Sequence, residues 1–383
     1  METAQQATEK SFVKIGNLSK NETKVLYSLL KYPGEKDQEI HERIGMKKST
    51  FSSIKLRLQK RGIFRVIHVP VFPRLGFELF ISMYGQLNRL TTIEERMKIA
   101  RGMLEKFAED FYIASESNRA FNLAISENYT EYDKNYNRFM QLYSLNNFLA
   151  EQGMTIVPFP FETSSFHTFM DFKPLLDRVL GLEPTYDKEL AIPREPKREP
   201  SFSVAEAKVY LGLIRFPGRP DTYIAKKMNV SRNTVASAKR RFIEEGYITP
   251  KIIPNLSALG MKLLVFIHKH FNPGSTVEDR VEATELVKRE LTPFLYVSKN
   301  LDGIIITAFR DFLDFNETWG RVMKIFLKRD YIREEPVVYT LSIPDLTEIK
   351  SYDFLHLIEK KFSKILRDEE YDLSDDDDPL KMR

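Results

Sequence analysis

The chain has 383 residues, is 42% hydrophobic and carries a formal net charge of +4. It contains no cysteine, which excludes disulfides, zinc–thiolate sites, iron–sulfur clusters and thiol nucleophiles. The opening METAQQATEK lacks a signal pattern, and no stretch approaches the roughly 18 uncharged apolar residues of a membrane span. We therefore expect a cytoplasmic protein of about two to four domains.

An internal repeat organises the chain. Residues 19–76 realign without a gap on residues 203–260, at a constant shift of 184 (203 − 19). A period of this length exceeds the roughly 20 to 50 residues of solenoid repeats. The pattern predicts a tandem duplication of a whole two-domain module.

Each repeat begins with a predicted three-helix unit. Ser19 and Ser203 each stand three residues before a glutamate, Glu22 and Glu206, which is the signature of a capping box at a helix start. The third helix has an apolar face and a cationic face. Its apolar positions are Met46, Phe51, Ile54 and Leu58 in one repeat and Val230, Val235, Ala238 and Phe242 in the other. The apolar, proline-broken stretches that end at 76 and 260 are predicted to form short β wings.

Strand and helix signals alternate after each wing. The predicted order is strand, helix, strand, strand, helix, strand, which is typical of a ferredoxin-like βαββαβ sandwich. The predicted elements are 78–87, 93–108, 111–115, 120–126, 132–149 and 155–161, then 262–271, 277–290, 294–298, 303–309, 315–328 and 336–343. An extra helix is expected to close each copy, at 172–180 and 354–367.

The sequence thus predicts an α+β protein with two winged helix-turn-helix domains, each followed by a ferredoxin-like βαββαβ domain. A proline-rich, charged stretch in the middle is expected to stay extended as a linker. The predicted division is an N-terminal tail 1–16, a helix-turn-helix domain 17–76, a βαββαβ domain 77–182, the linker 183–200, a second helix-turn-helix domain 201–260, a second βαββαβ domain 261–367 and an acidic tail 368–383.

A helix-turn-helix with a small wing that ends in Leu-Gly and leads into a βαββαβ domain resembles the Lrp/AsnC family of bacterial and archaeal transcription regulators. The run from Val230 to Val235 and the Leu-Gly at 75–76 and 259–260 carry the resemblance most specifically. Members of this family usually carry one such unit and pair through the βαββαβ domain. The resemblance therefore implies a chain that supplies both halves of a pseudo-dimer, with further self-association through the βαββαβ domains as an option.

The third helix of each repeat carries the residues that are predicted to contact DNA. The major groove admits one α-helix, whose short polar side chains read bases and whose cations contact phosphates. Arg232 is suited to guanine and Asn233 to adenine. The predicted contact residues are Lys47, Lys48, Ser49, Thr50, Ser52, Ser53 and Lys55 in the first repeat and Ser231, Arg232, Asn233, Thr234, Ser237, Lys239 and Arg240 in the second. We expect the first head to bind mainly by electrostatics.

Other sequence features are assigned structural roles. His268 and His270 project from one face of a predicted strand, but no carboxylate or cysteine stands at ligand spacing, so a surface or interface position is preferred to a metal site. The acidic tail is expected to be a disordered, solvating end. No cofactor, catalytic residue or small-molecule effector is assigned.

The leading prediction is a non-enzymatic regulator that binds double-stranded DNA through both heads. Two alternatives remain open. One is a winged-helix interaction module that contacts transcription machinery. The other is an enzyme, because some proteins of this fold are similar to siroheme decarboxylases, which keep the helix-turn-helix without using it on DNA.

Overall fold

The computed structural model describes residues 14–101, 107–186 and 192–375. The chain is an α+β protein with antiparallel sheets, so the predicted class is confirmed. Within the described residues, no helix has both the length and the apolar character needed to cross a membrane.

The first half contains six helices and six strands among its described residues. The helices are α1 (Lys20–Lys31), α2 (Asp37–Arg43), α3 (Lys48–Lys60), α4 (Ile93–Arg101), α5 (Tyr129–Leu145) and α6 (Lys173–Val179). The strands are β1 (Phe64–Pro70), β2 (Leu79–Leu87), β3 (Asp110–Glu116), β4 (Arg119–Ser126), β5 (Leu149–Pro160) and β6 (Ser165–Phe169). A 3-10 turn, Phe72–Leu75, follows β1.

The second half contains the same number of each among its described residues. The helices are α7 (Val204–Arg215), α8 (Asp221–Met228), α9 (Arg232–Glu244), α10 (Val277–Leu291), α11 (Phe312–Lys328) and α12 (Leu355–Phe362). The strands are β7 (Ile248–Pro254), β8 (Leu263–His270), β9 (Leu295–Lys299), β10 (Asp302–Phe309), β11 (Val337–Ser342) and β12 (Thr347–Lys350).

The first helix of each half begins with the same type of N-cap. Ser19 and Ser203 each cap the helix that follows, and both reciprocal capping boxes are formed. Gly45 and Asn229 follow α2 and α8 with φ values of 62° and 51°, a left-handed conformation that ends a helix and suits these residue types. The helices α1 and α7 begin 184 residues apart (204 − 20), the shift of the sequence repeat.

The two predicted wings form one sheet. Strands β1 and β7 pair antiparallel with each other over their full length, from Phe64 opposite Pro254 to Pro70 opposite Ile248. Each wing therefore completes its hydrogen bonding with the other half of the chain.

Two five-stranded sheets lie beyond the wings, and each contains a strand from the other half. The first sheet has the order β12-β3-β4-β2-β5, and the second has the order β11-β8-β10-β9-β6. Strand β6 is the last strand of the first half but pairs with β9 of the second half. Strand β12 is the last strand of the second half but pairs with β3 of the first half. The halves are joined by this reciprocal strand exchange.

The two sheets pack face to face with their helices outside. Phe121 of the first sheet stacks on Phe266 of the second, with ring centroids 5.0 Å apart. The Tyr84 hydroxyl lies 2.8 Å from His268 Nδ1, and these two residues are 184 positions apart. The largest apolar cluster runs from this interface into both three-helix units.

The outer layers of the two halves differ. Between the second sheet and its helices, fifteen buried apolar residues form one packed cluster, which includes Ile267, Ile305 and Phe326. Among the described residues, the corresponding cluster of the first half has only four, Leu79, Ile81, Ala124 and Tyr132. This difference leaves room for the cavity described below.

Several sequence predictions were wrong in detail. The exchanged strands β6 and β12 were not predicted, and β5 begins at Leu149 instead of 155. The linker 183–200 is extended where it is described, but it packs on the body of the protein, with Ile192 buried in the main cluster. The predicted helix 93–108 is described only as far as Arg101, and its last part falls partly on 102–106, outside the described residues.

The acidic tail is not a free, solvating end as far as Asp375, the last described residue. The Asp372 carboxylate accepts a hydrogen bond of 2.6 Å from Lys227 Nζ, and its backbone N–H donates to the Lys227 carbonyl. Arg215 Nε donates to the carbonyl oxygen of Leu373. The tail therefore lies along α7 and α8.

Candidate functional site

A cavity that is partly open to solvent lies between the first sheet and the helices α4 and α5. Most of the wall is apolar. The lining residues are Met83, Leu87, Ile93, Arg96, Met97, Phe107, Asp110, Ile113, Ser115, Ala120, Phe121, Asn122, Phe139, Tyr143, Met154 and Ile349.

Arg96 supplies a buried cation to this wall. Only 7% of the residue is exposed. Its Nη2 donates to the carbonyl oxygen of Ser117 at 2.6 Å and its Nε to that of Thr92 at 3.2 Å, which fixes the guanidinium. Its Nη1 is buried without a hydrogen-bond partner. Burial lowers the pKa of Arg96, but a guanidinium remains charged at neutral pH.

Asp110 supplies a carboxyl group whose protonation changes near neutral pH. Burial raises its pKa from 3.8 to about 7, although the charge of Lys350 and a hydrogen bond from Asn122 oppose the shift. Asn122 Nδ2 donates to Asp110 Oδ1 at 2.9 Å. Asn122 Oδ1 is itself buried without a donor. The cavity thus holds an unpaired donor, an unpaired acceptor and a carboxyl group that can give or take a proton.

The second half of the chain contributes Lys350, which contacts the backbone next to the Asp110 carboxyl group. Lys350, on the exchanged strand β12, donates to the carbonyl oxygens of Phe107 at 2.9 Å and Asp110 at 3.0 Å. Its ammonium lies close enough to lower the pKa of Asp110, as noted above. The site is therefore completed by a residue more than 200 positions away.

The matching place in the second half is apolar. Asn122 pairs with Met83 on β2, and Ile305 pairs with Ile267 on β8, where Met83 and Ile267 are 184 residues apart. Ile305 is buried in the packed cluster of its half. The same fold can therefore fill this layer with hydrocarbon, so the polar groups of the first half are not a requirement of the fold.

The residues that were predicted to contact DNA lie on two separate helices and are mostly exposed. Lys47, Lys48, Ser49, Thr50, Ser52 and Ser53 are exposed at the start of α3, and Ser231, Arg232, Asn233, Ser237 and Arg240 are exposed on or next to α9. Ser231 caps α9, accepting from the Thr234 backbone N–H at 3.0 Å.

Several cations of these helices stabilise the three-helix units. Lys55 pairs with Asp37 at 2.6 Å, and Lys239 pairs with Asp221 at 3.2 Å. Glu22 accepts from both Arg57 and Arg61, and Glu206 accepts from Arg241. These ion pairs account for part of the basic pattern without a nucleic acid.

A second polar group lies on the other half. His268, His270 and Asp302 place their nitrogen and oxygen atoms within 4.8 Å of one another, and no other His/Asp/Glu group with metal-ligand spacing occurs among the described residues. The sequence shows no carboxylate at ligand spacing from these histidines, but the fold brings one to them. Asp302 is on the neighbouring strand β10, directly opposite His270 in the ladder.

The sequence reasoning missed Arg96, Asp110 and Asn122. Asn122 gave one usable signal, because it is a polar residue on the helix-facing side of a strand whose equivalent in the other half is Ile305. Arg96 and Asp110 gave none, because they are ordinary charged residues until the fold buries them.

No family model matches the chain, and no curated protein matches it. Solved structures that match include the siroheme decarboxylase NirDL, once in complex with an iron-uroporphyrin III analogue (8% identity, 89% of this chain, 99% of that chain, TM-score 0.49) and once without it (9%, 90%, 99%, 0.49). An AsnC family transcriptional regulator from Agrobacterium tumefaciens matches more locally (14%, 36% of this chain, 89% of that chain, TM-score 0.30).

This comparison corrects the functional prediction. The expectation of a DNA-binding regulator that is not an enzyme is not supported: the two solved structures that match about nine tenths of the chain are both of siroheme decarboxylase NirDL, and the regulator matches 36% of it. At such identities a likeness shows the fold alone. The chemistry therefore has to be argued from the cavity of this chain.

Proposed function

We propose that the protein is an enzyme whose active site is the cavity of the first half, and that its substrate is a carboxylate-bearing molecule with a large apolar surface. The observation that carries this proposal is the buried, unpartnered Nη1 of Arg96 in a mostly apolar wall. An unsatisfied buried donor costs about 1–3 kcal/mol, and more when it is charged. A substrate carboxylate would satisfy it with a charge-assisted hydrogen bond.

Asp110 suits the role of general acid in such a site. A pKa of about 7 leaves a large fraction of the carboxyl protonated near neutral pH, where a proton donor is most effective. In a decarboxylation, the bond from the substrate carbon to its carboxylate breaks, CO₂ leaves, and the electron pair remains on carbon. The proton of Asp110 would go to that carbon, leaving an aspartate.

Asn122 and Tyr143 complete the chemistry of the wall. The free Oδ1 of Asn122 can accept one hydrogen bond from a substrate N–H or O–H group. Burial raises the pKa of Tyr143 to about 12, so its hydroxyl stays protonated and can donate. The apolar remainder of the wall would exclude water from the substrate body and so strengthen the contact with Arg96.

Decarboxylation of a tetrapyrrole, the reaction named for NirDL, is the first reaction to test. An iron tetrapyrrole such as the uroporphyrin III analogue in that complex carries both a broad apolar ring and carboxylates, which are the two features that the cavity is suited to bind. The proposal depends on the cavity, and a carboxylated substrate of another class would satisfy the same contacts.

The test is binding of iron-uroporphyrin III, followed by absorbance, and turnover of siroheme by the full chain, followed by CO₂ release. Arg96→Gln is expected to weaken binding by at least about tenfold, because one charge-assisted hydrogen bond of roughly 1.5–3 kcal/mol is lost. Asp110→Asn is expected to bind but to release no CO₂.

The chain supplies a matched control. Arg280 on α10 stands 184 positions after Arg96, and its side chain donates to the Ser275 carbonyl just before its own helix. Arg280→Gln should leave binding unchanged. Equal losses in the Arg96 and Arg280 variants, or no binding of any carboxylated tetrapyrrole or of its simpler carboxylated fragments, would contradict the proposed site.

We also propose that the halves are copies of one winged-helix plus ferredoxin-like unit, divided as the sequence predicts. The equal shift of α1 and α7, the paired capping boxes and the matching strand orders support a tandem duplication. Each sheet has four strands from one half, besides the exchanged strand. When these four are numbered 1 to 4 in chain order, without the wing, they stand in the order 4-1-3-2 in both sheets.

A further inference from the structure

We propose that His268, His270 and Asp302 bind one divalent transition-metal ion. The site lies at the edge of the interface between the two sheets, on the second half, away from the cavity of the first half. It is independent of the proposed reaction and goes beyond it.

The ligand atoms are already close to the spacing that a metal requires. Zinc bonds of 2.0–2.1 Å at tetrahedral angles place neighbouring ligand atoms about 3.3–3.4 Å apart. His268 Nε2 lies 3.4 Å from Asp302 Oδ1, and His270 Nδ1 lies 2.9 Å from the same oxygen. The third separation is no more than 4.8 Å. Small side-chain rotations would therefore be enough.

The three residues are held by the sheet. His268 and His270 are two positions apart on β8, so both project from one face. Asp302 is opposite His270 in the β8–β10 ladder. Ligands on paired strands are better positioned than ligands on loops.

Tyr84, which is not one of the three ligands, orients His268. Tyr84 OH lies 2.8 Å from His268 Nδ1. In a metal-bound form, Nδ1–H would donate to the tyrosine oxygen, and Nε2, which now faces Asp302 Oδ1, would give up its proton and bind the ion. Such outer partners are a regular feature of metal-bound histidines.

Solvent access to the site also fits a cation. His270 has a 44% exposed side chain, which gives an ion a route from solvent.

Two histidines and one carboxylate leave coordination positions free. Closed structural zinc sites have four protein ligands, whereas sites with three keep a position for water or another small ligand. The donor set of imidazole and carboxylate is suited to zinc, iron, cobalt or nickel. Zinc is the appropriate probe because it has no redox chemistry.

The experiment is a zinc titration of the tag-free full chain against a chromophoric chelator. We expect one zinc ion per chain, and a loss of at least about tenfold in affinity for His270→Ala and for Asp302→Asn. Both positions are partly exposed, so these variants should fold, which circular dichroism would check. Cobalt substitution should give visible absorption bands that the two variants lose.

His41→Ala on α2 is the control, since His41 is outside this group, and it should bind zinc like the parent chain. The absence of stoichiometric zinc, or binding that persists in both folded variants, would overturn the proposal. The Arg96→Gln variant should bind zinc normally, so failure of the metal site and failure of the proposed active site can be told apart.

Discussion

At the residue scale, the informative groups are buried polar atoms without partners. Native proteins pair nearly all such atoms, so each exception needs a reason. Arg96 Nη1 and Asn122 Oδ1 are exceptions that line the same cavity. A bound ligand that accepts a hydrogen bond from Arg96 and donates one to Asn122 is the simplest explanation for both unpaired atoms.

The pKa of Asp110 makes a prediction about stability. Between the usual value of 3.8 and the raised value of about 7, the folded chain holds a proton that the unfolded chain has released. The unfolding free energy therefore falls as pH rises through this window, and the cost reaches about 4 kcal/mol above pH ~7. Asp110→Asn removes this carboxyl group. The unfolding free energy of the variant, relative to that of the parent chain, should therefore increase by about 4 kcal/mol between low and high pH.

Chemical unfolding at a series of pH values would measure this difference. Other titrating groups cancel when the variant is compared with the parent chain at each pH. Asp345→Asn, at an exposed position, should show no such growth. A difference for Asp110→Asn that stays constant with pH would mean that the carboxyl is not desolvated as described.

At the element scale, the acidic tail acts as a strap on the second three-helix unit. Lys208 has only 6% of its side chain exposed and pairs with Glu369 at 2.7 Å. Asp375 accepts from Arg219 at 3.2 Å. Tyr371 and Leu373 pack against the main apolar cluster. Because a buried ammonium is costly without its partner, the strap is part of the fold.

Removing residues 368–383 should therefore destabilise the protein. We expect a loss of roughly 1–3 kcal/mol in unfolding free energy, from the charged hydrogen bonds and from exposure of Lys208. Faster hydrogen exchange should appear in α7 and α8. A chain that ends at Asp375 keeps all the described contacts and is the control; if both truncations behave alike, the strap contributes nothing.

At the scale of the whole molecule, the halves are interlocked. Strands β6 and β12 each complete the sheet of the other half, and β1 pairs with β7. Neither half can satisfy its edge strands alone. Lys350 extends this dependence to the cavity, since it comes from the second half and hydrogen-bonds next to Asp110.

Cutting the connection should not separate the halves. With a protease recognition sequence inserted between Tyr186 and Ile192, the cleaved fragments should elute together in gel filtration and unfold in one transition. Fragments that separate without denaturant would show that the exchanged strands do not hold the halves together. The inserted but uncut chain is the control for the insertion itself.

Local and repeated features could be predicted from the residues alone. Capping serines, apolar periodicity and the 184-residue shift placed α1, α3, α7 and α9 correctly, because these signals act over a few residues. The basic faces of α3 and α9 were also read correctly as exposed, but exposure did not specify a DNA partner.

Only the tertiary structure decided the sites. Strand exchange brings Lys350 beside Asp110, and strand pairing brings Asp302 opposite His270, over separations that no local pattern encodes. Desolvation, which gives Asp110 its raised pKa and leaves Arg96 Nη1 without a partner, depends on every element that surrounds them. Burial is a property of the assembled fold, and so is the chemistry that follows from it.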